Sequence, residues 1–253
     1  MILNAFDLTG KVALVTGCNT GLGQGMALGL AEAGCDIIGV NRRAAKETQS
    51  QVETLGRRFC HIEADLINSA NVPQVVEQAV AAFGRIDILV NNAGIIRRED
   101  ALNFSEQDWD DVMNINSKTV FFLSQAVARQ FIRQGHGGRI INIASMLSYQ
   151  GGIRVPSYTA SKSAIMGLTR LMANEWAKHN INVNAIAPGY MATNNTEPLR
   201  NDESRSQEIL GRIPAERWGT PEDMKGPVVF LASAAADYVN GYTIAVDGGW
   251  LAR

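Results

Sequence analysis

Short β-branched runs alternate along the chain with longer segments whose apolar residues recur at helical spacing. The runs are Lys11–Thr16, Asp36–Val40, Phe59–Glu63, Ile86–Val90, Arg139–Ala144, Ile181–Ala187 and Tyr242–Val246. Several are almost continuously apolar, the pattern of strands covered by helices on both faces. Helical spacing is found near residues 22–33, 45–55, 70–83, 106–134, 157–179 and 220–233. Strand and helix in regular alternation predict an α/β fold, a doubly wound parallel seven-stranded sheet with right-handed crossovers.

Local signals support these boundaries. Ser105 precedes Glu106 and Asp108, a helix cap with acids in the first turn. Thr220-Pro221-Glu222-Asp223 places a cap before a proline suited to the first helical position. Gly34, Gly56 and Gly84 stand where helices should stop. No linker or repeat interrupts the series, so residues 1–253 read as one domain. The stretch 190–218 departs from the rhythm: it is polar, carries Pro198 and Pro214, and has one helical patch at Glu203–Arg212. Such an excursion suits a lid over a binding site.

Composition narrows the function. A formal charge of −2, with 23 basic and 25 acidic residues, gives no field to gather nucleic acid or an anionic membrane. Cys18, Cys35 and Cys60 form no CxxC pair, and His61, His136 and His179 share no metal-ligand spacing, so no metal site is expected. Neither a signal peptide nor an apolar run of about 18 residues is present, which predicts a cytoplasmic protein.

The first strand runs into Thr16-Gly17-Cys18-Asn19-Thr20-Gly21-Leu22-Gly23. Glycines between a strand and a helix let the backbone turn sharply and approach a pyrophosphate at the helix N-terminus. A residue that reads the adenine ribose is expected at the end of the second strand. Asn41 stands there, followed by Arg42 and Arg43. Asn41 can bond a 2′-hydroxyl and Arg42 can accept a 2′-phosphate, so NAD and NADP both stay open. Tyr158 and Lys162 lie four residues apart, on one face of a helix. An ammonium there favours the tyrosinate and brings the hydroxyl toward a useful pKa. Ser145, at the carboxyl end of a strand, can donate a hydrogen bond to a substrate carbonyl oxygen.

TGxxxGxG, Asn91-Asn92-Ala93-Gly94, Asn116 inside a helix, Ser145, the Tyr158/Lys162 pair and Pro188-Gly189 with Thr193 occur in this order. In this they resemble the short-chain dehydrogenase/reductase family, over nearly the whole chain. The resemblance implies a Rossmann fold and hydride transfer with a nicotinamide cofactor. It implies Tyr158 as general acid/base, Lys162 as its tuner and ribose ligand, Ser145 as carbonyl polariser and Asn116 as part of a proton relay. Gly17, Asn19, Gly21, Leu22 and Gly23 would cradle the pyrophosphate. Asn41 and Arg42 would meet the adenine ribose, and Asp65 and Leu66 the adenine. Asn92, Ala93, Gly94, Pro188, Gly189, Met191 and Thr193 would line the rest of the cofactor groove.

The runs IIRREDALNFSEQDWDDVMNIN and SMLSYQGGIRVPSYTASKS are similar to family members acting on sugar acids of pectin and uronate breakdown. That likeness implies reduction of a ketosugar acid with NAD(H), NADP being possible. Gluconate 5-dehydrogenase and 3-oxoacyl-carrier-protein reductase activities are the alternatives, and a dinucleotide sensor without turnover is a third. A sugar acid needs a cation for its carboxylate. Arg154, between Ser145 and Tyr158, is the first candidate, Arg97 and Arg98 are second, and Gln150 adds polarity. Relatives pair the helices near 106–134 and 157–179 across two-folds. With Trp250 and Leu251 as a second apolar anchor, this implies a homotetramer.

Overall fold

The computed structural model describes residues 1–253. Seven parallel strands form one sheet: β1 (Val12–Thr16), β2 (Asp36–Asn41), β3 (Phe59–Glu63), β4 (Ile88–Asn91), β5 (Gly138–Ile143), β6 (Ile181–Pro188) and β7 (Thr243–Val246). Their order is β3-β2-β1-β4-β5-β6-β7. Chain progression therefore reverses between β1 and β4, and an open α/β sheet leaves its ligand crevice at the carboxyl ends there.

Helices α1 (Gly21–Glu32), α2 (Lys46–Thr54), α3 (Val72–Phe83), α4 (Glu106–Met113), α5 (Thr119–Gln134) and α6 (Pro156–Trp176) follow the strands as the periodicity predicts. The strands explain the two-layer core. In β1, Val12 and Leu14 join one apolar cluster while Ala13 and Val15 join another, because successive side chains leave a sheet on opposite faces. The first layer packs under α3 and α5, the second under α1 and α9 (Lys225–Ala232).

Two stretches differ from their sequence pattern. Residues 106–134 form two helices joined by a π turn at Asn114–Lys118, where the Thr119 amide donates to the Asn114 carbonyl. The stretch 190–218 holds a short α7 (Glu197–Asn201) beside α8 (Glu203–Arg212), the latter where the helical patch lay. Ser105 caps α4 by accepting from the Asp108 amide at 3.1 Å. At Thr220 the Asp223 carboxylate accepts from the Thr220 amide at 2.7 Å, but the turn it opens, Pro221–Met224, is 3₁₀ before α9 begins.

The surplus apolar surface is smaller than the sequence implies. Val120, Leu123, Ile165, Met166 and Met172 are buried within the chain, leaving Phe122 and Leu171 exposed. Trp250, expected as an exposed anchor, is only 4% exposed and packs against its own chain. No helix is long and apolar enough to cross a membrane.

Helix α1, whose N-terminus reaches the crevice, crosses the Pro221–Lys225 segment at backbone contact. A Cβ at Gly25 would collide with the Pro221 carbonyl oxygen, and one at Gly29 would sit 2.8 Å from the Lys225 Cβ. Gly25→Ala should therefore cost about 1–3 kcal/mol by overpacking. Gly226→Ala in α9, where a Cβ meets nothing within 4 Å, should be neutral or gain up to about 1 kcal/mol. Denaturant unfolding of both variants checks this. Equal effects would refute the close crossing.

Candidate active site

A groove of about 640 Å³ opens at the carboxyl ends of the central strands. At its floor, Thr16 and Asn92 tie together the loops that diverge at the reversal of strand order. Thr16 Oγ1 accepts from the Asn92 and Ala93 amides at 3.0 and 2.9 Å. Asn92 Nδ2 donates back to the Thr16 and Gly17 carbonyls at 3.0 and 2.9 Å. Gly17 has φ +67°, and a Cβ there would lie 3.0 Å from the Ala93 Cα. A Cβ at Gly23 would collide with the Gly17 carbonyl oxygen. Only glycine lets the loops close this tightly. Thr20, the α1 N-cap, makes no side-chain cap bond, so its first-turn amides and the dipole's positive end remain for an anion. This cradle suits a dinucleotide pyrophosphate.

On the other wall, α6 carries Tyr158 and, one turn on, Lys162. The Lys162 side chain is buried, its Nζ 5.6 Å from the Tyr158 ring centroid and donating to the Ile143 carbonyl at 2.6 Å. Burial pulls the Lys162 ammonium down to about 8. Burial pushes the Tyr158 hydroxyl up, opposed by a hydrogen bond from Ser145 and by the charge of Arg98. The spacing suggests a depression of Tyr158 by Lys162, but the groups that lower Tyr158 here are Ser145 and Arg98; both Tyr158 and Lys162 are desolvated, and burial drives each toward its neutral form. Ser145 follows β5 in extended backbone, its Oγ accepting from the Leu147 amide at 3.1 Å.

Gly17, Asn19, Gly21, Leu22, Gly23, Asn41, Arg42, Leu66, Asn92, Ala93, Gly94, Ser145, Tyr158, Lys162, Pro188, Gly189, Met191 and Thr193 line this one groove. Six other expected residues do not: Asp65, Asn116, Arg97, Arg98, Arg154 and Gln150. Asp65 is exposed, lines a separate 220 Å³ cavity and accepts from the Ile67 amide. Asn116 is buried in the π turn, its amide clamped to both backbone groups of Ile95 and to the Ser161 hydroxyl. Arg97 pairs with Asp108 and Asp111, and Arg154 with Asp100. Gln150 accepts from the Trp250 indole at 3.2 Å. Arg98, by contrast, has no carboxylate partner and donates to the Asn195 carbonyl at 2.9 Å. The sequence reading placed Asn194 and Asn195 at a polar pocket mouth, and both line the groove; it missed the Thr16 clamp and Thr196 on the groove wall. The only signal for these two was that Thr16 opens the glycine motif and that Thr196 follows the PGxxxT run.

Asn41 is buried at the end of β2. Its Nδ2 lies 3.6 Å from the Cys18 sulfur, and its Oδ1 has no partner. Arg42 beside it is exposed and makes no ion pair.

Comparison with known proteins agrees with this geometry. Residues 11–204 match the family model described as short chain dehydrogenase. The chain is 74% identical over 253 residues, all of both chains, to 2-dehydro-3-deoxy-D-gluconate 5-dehydrogenase of Dickeya dadantii. It is 54% identical to the Bacillus subtilis enzyme of the same name, over 99% of this chain and 98% of that one. An Agrobacterium tumefaciens structure with bound NADP, assigned as a 2-deoxy-D-gluconate 3-dehydrogenase, superposes with a TM-score of 0.94 at 54% identity. The match covers 99% of this chain and 100% of that one. With its glycine cradle, its Ser145, Tyr158 and Lys162 on one groove and a family match over most of its length, this chain belongs to the short-chain dehydrogenase family.

Proposed function

We propose that this oxidoreductase reduces the 5-keto group of 3-deoxy-2,5-diketogluconate to give 2-dehydro-3-deoxy-D-gluconate, a step in pectin and uronate catabolism. The full-length identity to enzymes of that name supports the substrate. The observation that carries the reading is the convergence of Ser145, Tyr158 and Lys162 on the groove, with Arg98, outside the groove's lining but near enough for its charge to act on Tyr158, as a cation free of carboxylates.

Held in this groove, a nicotinamide dinucleotide would supply the hydride that reaches the carbonyl carbon. The residues that would hold it are the Gly17–Gly23 turn, Asn92, Gly94, Pro188 and Thr193. Ser145 Oγ donates a hydrogen bond to the ketone oxygen, and the Tyr158 hydroxyl supplies the proton that turns it into an alcohol. Lys162, desolvated beneath the tyrosine, stabilises the negative charge left on its oxygen. Asn116 holds the Ile95 loop against α6 and so keeps the Tyr158 helix in place. Arg98 is the carboxylate anchor in this reading, since Arg97 and Arg154 are already paired.

For the cofactor, NAD(H) is the working form and NADP(H) is accepted. The neutral Asn41 in place of an acid repels no phosphate, and Arg42 stands ready for one. A relative with bound NADP supports the acceptance. The chain assembles as a homotetramer. The exposed Phe122 on α5 and Leu171 on α6 offer one two-fold contact, and β7, a sheet edge, offers the other.

Tyr158→Phe should lower turnover by about 10²–10⁴-fold with dinucleotide binding kept. Arg98→Met should raise KM for the keto acid by the loss of a charged hydrogen bond, about 1.5–3 kcal/mol, with a smaller effect on kcat. Reduction needs a protonated Tyr158 and a charged Lys162, so kcat/KM for reduction should fall as pH rises through about 8, while oxidation gains. Steady-state kinetics across pH read all three, and a tenth or more of wild-type activity in Tyr158→Phe would remove it from its role.

Arg42→Ala should leave NADH kinetics within a few-fold and weaken NADPH use by about 1.5–3 kcal/mol. Parallel titrations with the two cofactors decide, and a wild-type preference for NADPH would contradict the assignment of NAD(H). Light scattering should give four times 27.4 kDa, about 110 kDa; a single-chain mass would end the proposed assembly.

A further inference from the structure

The C-terminal tail packs outside the groove, against the end of α8 and the loop that follows Ser145. After β7, Gly248 and Gly249 turn the chain with φ +63° and +90°. A Cβ on either would lie 3.0 Å from Ile213 or Pro214, so the turn is pressed against the end of the lid. Asp247 secures it by accepting from the Gly249 and Leu251 amides, both at 2.9 Å. The Ala215 amide donates to the Gly248 carbonyl at 3.0 Å. Arg253 then donates to the Gly211 and Arg212 carbonyls at 3.1 and 2.7 Å, satisfying orphan carbonyls at the C-terminus of α8.

Trp250 sits at the centre of this arrangement and touches three separate walls. The Arg212 guanidinium of the lid stacks 4.1 Å above its ring. The Tyr190 ring, next to Gly189 on the groove floor, meets it edge-on at 4.8 Å and 69°. Its indole N–H donates to Gln150 at 3.2 Å. Gln150 in turn donates its backbone amide to Met146, the residue after Ser145, and Met146 lies in one apolar cluster with Trp250, Ile209 and Ile213. Trp250 itself does not line the groove.

We propose that Trp250 is a positioning residue that locks the lid helix α8 to the Ser145 loop and so sets the shape of the substrate pocket. An indole is suited to this because one rigid group offers an apolar face for Arg212 and Tyr190 and a single donor for Gln150. This rests on the ketosugar-acid reading for its kinetic arm only.

The test compares the wild-type chain with Trp250→Ala and Trp250→Phe. A misplaced lid should cost Trp250→Ala about 10²-fold in kcat/KM for the keto acid, chiefly through KM, with NADH affinity by fluorescence titration unchanged. Trp250→Phe keeps the stacking and loses the Gln150 bond, so it should recover most of the loss. Brief trypsin digestion should cut Trp250→Ala at Arg200, Arg205 or Arg212 faster than the wild type, and this arm needs no substrate. The proposal is overturned by lid cleavage at the wild-type rate, by unchanged kcat/KM, or by NADH affinity falling in step with kcat/KM as a general loss of fold would make it. Wild-type protein inert toward every ketosugar acid would instead defeat the substrate assignment, and the digestion would still decide the role of Trp250.

Discussion

The close approach of two loops at the reversal of strand order governs the rest of the molecule. Helices after β1 and β4 lie on opposite faces of the sheet, so the loops that lead to them part and leave a crevice. Left alone, that gap would expose backbone groups of both loops. Thr16 and Asn92 close it with four hydrogen bonds to the facing backbone, and Gly17 and Gly23 remove the Cβ atoms that would prevent the closure. The amides at the start of α1 are thereby aimed into the groove, where an anion completes them.

The opposite wall follows a different constraint, the removal of charge from water. Lys162 is buried with one short bond to a carbonyl, and Tyr158 loses the solvent that would stabilise its anion. Both groups resist ionisation, one helical turn apart in a site of low polarisability, so a charge on either one is stabilised by the opposite charge on the other. Asn116 contributes through backbone geometry: the π turn inserts an extra residue into the helix and lets its amide clamp the Ile95 loop.

Much of this was legible in the residues. The strands are short, apolar and separated by helical periods, so their order along the chain and the parallel sheet follow from alternation. The glycine turn and the Tyr158/Lys162 pair are local patterns, and local patterns survive folding. The π turn left a mark that a reading of 106–134 as one helix passed over: buried Ile115 and Val120 stand five apart, where a continuous α-helix would step three or four. The arginines left no such mark. Arg97, Arg98 and Arg154 look alike in sequence, and only the placement of Asp100, Asp108 and Asp111 distinguishes the paired from the unpaired. Trp250 read as a surface anchor because nothing in the tail reveals that Ile209 and Ile213 fold back over it.

The central claim is that the groove recognises a ketone and a carboxylate on one small molecule. The most direct measurement follows the oxidation of NADH by the purified chain with 3-deoxy-2,5-diketogluconate and with its neutral methyl ester. The account predicts efficient turnover of the acid and a kcat/KM lower by about ten-fold or more for the ester, the loss of one charged hydrogen bond. Equal turnover of acid and ester, or none of the acid, would contradict it.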